Sequence, residues 1–308
     1  MLVEVDPGQY LRFFPLNPHP FISPEFLELN KAKVERIVHL VQHDNKELGL
    51  IAGINKGALL SPFSAPFGGF HFKHKAIYIN VIDQFVAALK DYIESSQLES
   101  VKLTLPPDIY HQSFNAKTIN SLFRNSFGFQ VPDISSHIDL NDFSENYSHP
   151  NSRNYYRQAK RNGLVFSLAS SSEEKEEVYK LILQNRIKFN RPIYMTLNDI
   201  LDNNNLWPVD FLRVTTSDGV LVASAIFYRF NGSVCYGVFR ADNDLGRQLR
   251  SVDFLDYNTK AHYKHLGYRY IDEGISTESG EPNQGLLRFK ETHEGVSSLR
   301  FRYYWTKR

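Results

Sequence analysis

Cysteine is almost missing from this chain. Cys235 is the one cysteine among 308 residues, which excludes an intrachain disulfide and fits a reducing compartment. Its setting in the apolar run SVCYGVF makes it a small buried hydrophobe. Long apolar runs are missing too. No stretch approaches the roughly 18 residues a membrane helix needs. The opening MLVEVDPGQYLRFFP has no basic segment ahead of an apolar core, the pattern of a secretory leader. A cytoplasmic location without membrane insertion is therefore expected. Neither sign of charge dominates, with 35 Lys and Arg against 34 Asp and Glu and a net charge of +1. Bulk electrostatics then point to no nucleic-acid or membrane partner, and either would need a local basic patch. The 11 histidines show no metal-ligand spacing, so no metal is expected. The G-x-S-x-G, Walker A and G-x-G-x-x-G patterns are all absent, which removes the classes built on them.

What the chain does have is aromatic content and clear periodicity. Its 23 Phe and 17 Tyr supply nearly all of a 14% aromatic fraction, beside 42% hydrophobic and 22% charged residues, the balance of a globular protein. At roughly 150 residues per domain, two domains are predicted, at 1–145 and 146–308. The first half predicts short pieces at Pro7–Phe14 and Ser23–Asn30, then strands at Arg36–Gln42 and Leu48–Ile54. A helix comes next over Val81–Ser95, where Ile82, Phe85, Leu89 and Ile93 recur at helical spacing. A strand at Val101–Leu105 is stopped by Pro106-Pro107, a helix at Ala116–Asn125 by Gly128, and strand-like residues run from Phe129 to Leu140.

The second half predicts a strand at Leu164–Ala169, a helix at Glu173–Phe189 capped by a serine run, and a short helix at Leu197–Asn203. Strands come next at Asp210–Thr215, Val220–Arg229 and Ser233–Arg240, with hairpin turns at Asp218-Gly219 and Asn231-Gly232. A helix at Ser251–Leu266 is stopped by Gly267. A strand at Tyr268–Asp272, a helix at Asn283–Thr292 and a strand at Ser298–Trp305 complete the order. Both halves read as hairpin strands, then helix, strand, helix, strand. This predicts an α/β protein with mixed sheets flanked by helices and an internal structural duplication; a single mixed domain is the alternative.

Three segments carry chemistry. In Asn151–Gly163 (NSRNYYRQAKRNG), Ser152 is placed to cap a helix. Arg153, Arg157, Lys160 and Arg161 share one helical face without an acid. Such a face suits phosphates; a solvated basic face is the plainer reading. In Tyr270–Gly295, Asp272 and Glu273 fall at the carboxyl end of a strand, where ligands of open α/β sheets gather. A carboxylate there can take a proton from an attacking amine, with Lys290 available to a phosphate or substrate carbonyl. A structural salt bridge is the alternative. In Ser61–Phe70 (SPFSAPFGGF), Gly68 and Gly69 permit close backbone approach. Phe67, Gly68 and Gly69 then wall an acceptor cleft, with Tyr194 and Tyr236 as further acceptor contacts, or the segment is a long ordered connection.

The order of elements over Leu164–Trp305 resembles the GNAT superfamily, and these three segments are similar to those of FemABX-like and related tandem-GNAT proteins. Arg153, Arg157, Ala159 and Gly163 match R-x-x-x-R-x-A-x-x-x-G. Tyr270, Asp272, Gly274, Gly285, Leu286, Phe289, Lys290 and Gly295 match a strand ending Y-x-D-x-G and then G-L-x-x-F-K-x-x-x-x-G. Glu294 stands where that family often has a second glycine. DNDLGRQLRSVDFL does not match the pyrophosphate motif Q/R-x-x-G-x-G/A, and only Gly246, Arg247, Arg250 and the backbone near Ser251 remain there as phosphate contacts. The resemblance implies two tandem GNAT-like halves. It implies acyl-CoA as donor co-substrate, reached by Arg153 and Arg157 as well. The acyl group lies in a splay between the strands Ser233–Arg240 and Tyr268–Asp272, and passes to an amine of a small-molecule, sugar or peptide acceptor bound between the halves. An aminoacyl-tRNA-dependent transferase, with tRNA on the Arg153–Arg161 face, is the second reading. A non-catalytic binding protein of the same fold is the third.

Overall fold

A computed structural model describes residues 1–74, 76–230 and 233–307. The hairpin turn expected at Asn231-Gly232 lies outside the described residues. The chain divides into two compact units. Unit 1 is Met1–Ile134 with Glu278–Glu281 and Ser298–Arg308, and unit 2 is Ser135–Thr277 with Pro282–Ser297. This division differs from the expected 1–145 and 146–308, because segments of the chain cross over.

Unit 1 is built from β1 (Leu2–Glu4), α1 (Pro7–Phe13), α2 (Pro24–Leu29), β2 (Arg36–Gln42), β3 (Leu48–Asn55), β4 (Ala58–Ser61), β5 (His71–Phe72), α3 (Ile79–Ser95), β6 (Ser100–Thr104), α4 (Asp108–Arg124) and β7 (Gly128–Phe129). The chain continues through β8 (Asp133–Asp139), α5 (Pro150–Arg161), β9 (Val165–Leu168), α6 (Ser172–Lys188), α7 (Leu197–Asn203), β10 (Val209–Thr215), β11 (Leu221–Arg229), β12 (Val234–Asp242), α8 (Asp244–Gln248), α9 (Ser251–His265) and β13 (Tyr270–Ile275). The short strands β14 (Thr277–Glu278) and β15 (Glu281–Pro282), then α10 (Gln284–Thr292), β16 (Val296–Arg300) and β17 (Arg302–Thr306), end it.

The same strand plan occurs twice. One sheet runs β1-β2-β3-β4-β6-β17-β7, with β5 on β3, and the other runs β16-β8-β13-β12-β11-β10-β9. Each has four antiparallel strands, then one parallel step, β4 to β6 or β12 to β13. A helical crossover feeds that step in both cases, as a parallel pair requires. Beyond it the neighbour is antiparallel and comes from elsewhere in the chain: β17 beside β6, and β8 beside β13. The expected strand Ser298–Trp305 is thus two strands in two sheets, parted at Phe301. The alternation of LRFRYYW runs through that point and does not mark the break. The crossing is held within unit 1 by Asp133, whose Oδ2 accepts from Arg300 (3.4 Å) and Arg302 (2.6 Å).

Apolar spacing builds both cores. In unit 1, Ile82, Phe85, Leu89 and Ile93 of α3 pack on Val38, Leu50 and Val101 of the sheet. In unit 2, Leu255 and Tyr263 of α9 pack with Leu212, Ala225, Cys235 and Ile271. Ser171 caps α6 in a capping box with Glu174. Helix α4 begins at Asp108 rather than Ala116, because a break at His111 (φ −168°) joins an extra turn that carries no apolar period. It is ended by Ser126 in the left-handed region (φ 63°), not by Gly128. Gly128 starts β7 instead, where a Cβ would lie 2.6 Å from the Tyr304 ring.

Candidate functional site

The parallel step in unit 2 is short. β12 and β13 pair only at Val234–Tyr270, Cys235–Ile271 and Tyr236–Asp272. Beyond this, β12 continues to Asp242 on β11 alone, and β13 continues on β8 through Gly274–Ser136 and Ile275–Ser135. The expected splay is therefore present. Two irregularities open it. Val238 is an extra residue against β11, and Glu273 is an extra residue against β8. Such bulges bend a strand and re-aim a side chain. The Asp-Glu-Gly order makes the second one: Asp272 Oδ1 accepts the Gly274 N–H at 2.8 Å, and Gly274 adopts φ 68°.

Glu273, turned out by its bulge, reaches across the gap to β12. Arg240 Nη2 lies 3.2 Å from Glu273 Oε1, while its Nη1 lies 3.2 Å from Asp256 Oδ1 on α9. Asp256 also meets Lys260 at 2.6 Å and accepts the Tyr147 hydroxyl at 2.6 Å. Tyr147, Asp256 and Lys260 are buried and the Glu273 side chain is 4% exposed, while the Arg240 side chain is half-buried. Burial works against the Arg240 charge, but Asp256 and Glu273 outweigh it and raise its pKa. Burial likewise opposes the Asp256 carboxylate, and Lys260 and Arg240 outweigh it, holding its pKa well below the usual range. Burial, then Asp256, pushes the Tyr147 hydroxyl far up. Two carboxylate oxygens of this network, Asp256 Oδ1 and Glu273 Oε2, are buried without a hydrogen-bond partner among the described residues. Asp256 Oδ1 keeps its ion pair with Arg240 at 3.2 Å, while burying Glu273 Oε2 is costly unless something supplies a donor.

A cleft of about 340 Å³ lies beside this network. Its walls are the first turns of α5 (Asn151, Ser152) and α9 (Asp253), with Tyr155, Arg250, Arg288 and Phe289 of α10, and His293 just past that helix. Helix first turns carry backbone N–H groups without helical partners and favour anions. Arg250 holds a left-handed conformation (φ 62°) at the start of α9, its guanidinium 4.0 Å from the Tyr155 ring centroid. Phe289 joins cleft to network, with the His293 ring stacked at 4.0 Å and the Arg240 guanidinium at 5.6 Å. His293 Nε2 lies 3.0 Å from Asp253 Oδ1, and its Nδ1 lies 2.8 Å from the Phe289 carbonyl.

The predicted residues fare unequally. Glu273 lies in the splay. Asp272 is buried and bonded within its own bulge. Lys290 is engaged by the chain itself: its ammonium donates to the carbonyls of Glu273 (2.8 Å), Gly274 (2.9 Å) and Ile275 (3.1 Å), which uses its three N–H groups. It holds the end of β13. Gly246 and Ser251 form no phosphate loop either. The Gly246 N–H is taken by Asn243 Oδ1 at 2.7 Å, a Gly246 Cβ would sit 2.1 Å from the Val222 carbonyl, and Ser251 is buried against that same carbonyl. Arg247 pairs with Asp242 and Asp244. Arg250 does line the cleft. Arg157 is exposed on α5, and Arg153 is half-buried. Ser152 does not cap α5; His149 holds that position, and the Ser152 hydroxyl donates to the Thr292 carbonyl at 2.7 Å.

Phe67, Gly68 and Gly69 are buried within unit 1. Phe67 packs on His19, Phe21 and Tyr110, and Gly68 is fixed by Ser61 and Pro62, 2.5 and 2.7 Å from where a Cβ would stand. Tyr194 is 87% exposed. Tyr236 stacks on Phe230, ring centroids 6.0 Å apart. Glu294 adopts φ 68°, the conformation a glycine would take, and its carboxylate accepts the Ser148 N–H at 2.6 Å. Sequence patterns single out none of Arg240, Asp253, Asp256, Arg288 and His293. They stand far apart in the chain, and none carries a local motif.

No family model matches the sequence, and no curated protein is similar to it at the sequence level. Solved structures do match its fold. FemX superposes with a TM-score of 0.70 at 10% identity, over 100% of this chain and 97% of FemX. The L-PGS from Bacillus licheniformis gives 0.60 at 13% identity, over 99% and 93%. A tandem GNAT protein from the clavulanic acid biosynthesis pathway gives 0.55 at 8% identity, over 99% and 98%. The chain therefore has the tandem-GNAT, FemABX-like fold, and at such identities the likeness speaks for the fold alone.

Proposed function

We propose that unit 2 is an N-acyltransferase that moves an acyl group from acyl-CoA to the amine of a small-molecule, sugar or peptide acceptor. The observation that carries this reading is the parted β12–β13 edge, bridged by Arg240 and Glu273, with one buried Glu273 oxygen lacking a donor. An acceptor amine placed in the gap supplies that donor. Its nitrogen attacks the thioester carbonyl, Glu273 Oε2 takes the amine proton, the C–N bond forms, and the C–S bond breaks to release a thiolate that picks up a proton. Arg240 fixes the carboxylate, and Asp256 and Lys260 fix Arg240. Holding the amine and thioester together supplies much of the rate. The cleft at the starts of α5 and α9, with Arg250 and Arg288, takes the phosphates of the donor's carrier. The test is release of free thiol from acetyl- and longer acyl-CoA with a panel of amines. No turnover and no thermal shift with any acyl-CoA would sink this donor.

A second reading has its own support. The Gly246 N–H and the Ser251 side chain are already engaged by the chain, so the usual pyrophosphate loop offers CoA little. The exposed Arg157, Lys160 and Arg161 of α5 fit an aminoacyl-tRNA donor instead. A salt-sensitive gel shift with tRNA, lost on reversing those three charges, separates the two.

A further inference from the structure

The end of α6 and the turn after it carry two arginines, Arg186 and Arg191, without a carboxylate partner among the described residues. Asn190 stands in the left-handed region (φ 50°) just past the helix, and the Arg191 N–H returns to the Arg186 carbonyl at 2.9 Å while the Asn190 N–H bonds the Ile187 carbonyl at 3.1 Å. This is the 6→1 closure of a Schellman turn, and it folds Arg191 back beside Arg186. Burial, then the Arg191 charge, lowers the Arg186 pKa, as two like charges held close require. Neighbouring cations are paired: Lys188 with Asp244, and Arg247 with Asp242 and Asp244. Among the described residues Arg186 and Arg191 have no ion pair.

Around this pair lies apolar surface that the fold does not cover. Ile187 is 70% exposed, Phe189 43% and Leu245 43%. The Phe189 ring has three cations within 6 Å of its centroid: Arg247 at 5.2 Å, Arg191 at 5.8 Å and Lys188 at 5.9 Å. The patch adjoins the splay. Arg186 lies over Phe239 of β12 at 5.2 Å, and Asn185 donates to the Asp242 carbonyl at 2.7 Å, both on the part of β12 that has left β13.

We propose that this surface docks on an anionic phospholipid bilayer, with Arg186 and Arg191 on lipid phosphates and Ile187, Phe189 and Leu245 in the interface. Nucleic acid would also answer the arginines and the aromatic ring, but exposed Ile187 and Leu245 gain nothing from it, whereas all five side chains gain at a lipid surface. Docking there sets the splay at the membrane, so this inference rests on the proposed transfer site and narrows its acceptor to an amine carried by a membrane amphiphile.

The test is flotation of the full chain with vesicles of phosphatidylcholine alone and with a third phosphatidylglycerol. Binding is expected to the anionic vesicles, to weaken with salt, and to fall at least tenfold in F189S/R191E. That double variant changes exposed positions outside the transfer machinery, so turnover of a soluble amine and the melting temperature stay within experimental error. Loss of soluble-amine turnover in both proteins would count against the transferase reading, not against docking. No binding to anionic vesicles, or equal binding by the variant, overturns the inference. Loss in the variant of oligonucleotide binding, with no vesicle binding by either protein, assigns the patch to nucleic acid and overturns it too.

Discussion

The two parallel strand steps have the same plan and opposite contents. Between β4 and β6 the ladder runs the full length of β4, from Ala58–Ser100 to Ser61–Leu103. The main chain then carries it one residue further, since the Gly68 N–H donates to the Thr104 carbonyl at 2.8 Å, while the Gly69 N–H closes on Ser61 Oγ at 3.1 Å. Between β12 and β13 the ladder stops after three pairs, and side chains span the gap beyond the last of them. The end of β6 is satisfied by a loop backbone; the end of β13 is satisfied by the Lys290 ammonium. A fold plan does not place a site. In the proposed reading, what places it is whether the chain's own backbone fills the parting of the strands or leaves it to charged groups.

The largest expected effect tests which step is chemical. Glu273→Gln should lower kcat/KM for thioester aminolysis about a thousandfold, with the melting temperature little changed, while Ser61→Ala at the filled step leaves turnover per folded molecule within about twofold. The reverse pattern would move the chemistry to unit 1. Next is Lys290→Ala. Three part-buried carbonyls lose their common donor, which should cost about 3 kcal/mol in urea unfolding. A variant as stable as the parent would show that Lys290 does not hold β13 and would restore it as a candidate for contact with substrate. Smaller again is a matched pair of glycines. A Cβ at Gly68 would stand 2.5 Å from Ser61 Oγ and 2.7 Å from Pro62 N, whereas at Gly237 the nearest atoms lie at 3.3 and 3.4 Å. Gly68→Ala should cost about 2 kcal/mol and Gly237→Ala less than about 1 kcal/mol. Equal losses would mean that the two steps are packed alike.

Much of this is legible in the sequence alone. Helical spacing finds α3, Asp-Gly finds the β10–β11 hairpin, and Asp272 and Glu273 are placed at the end of β13, though not in a bulge. Local patterns report on local structure. The features that stay hidden depend on partners remote in sequence. The crossing of β8 and β17 is fixed by Asp133 with Arg300 and Arg302, some 170 residues apart in the chain. Lys290 reads as a ligand contact because a conspicuous lysine beside two acids suggests chemistry; only the positions of three carbonyls show that its donors are used. SPFSAPFGGF stands out as a glycine loop, but Gly68 makes room for the chain's own backbone at Ser61 and Pro62, and Gly69 supplies a positive φ of 120°. Arg240 and Asp256 lie in unremarkable stretches, and nothing short of the fold brings them to Glu273.

Acid should test the filled step of unit 1 through its buried histidines. His19 and His71 are buried in unit 1. Burial brings the pKa of each down to about 3 from an ordinary 6.5, with the His19 backbone bond to Gly68 opposing this and the His19 and His39 charges adding to it at His71. His19 Nε2 lies 3.0 Å from the carbonyl of Gly68, the residue that fills the β4–β6 step. The unfolded chain takes up these protons below about pH 6.5, and the folded chain does so only near pH 3. The stabilisation is therefore whole above pH 6.5 and is lost as pH falls through that window, at about 1.4 kcal/mol per pH unit for each histidine. Burial also lowers His39 of unit 1 and His262 of unit 2, which act in the same direction below pH 6.5, and the depressed Asp256 of unit 2 does so below the ordinary aspartate value of 3.8. Urea unfolding at pH 7, 6 and 5 should show falling stability, and His19→Asn should remove about one histidine's share of the slope. A slope that His19→Asn leaves unchanged would mean that the imidazole is reached by protons in the folded chain, and the filled step would then be looser than its backbone bonds imply.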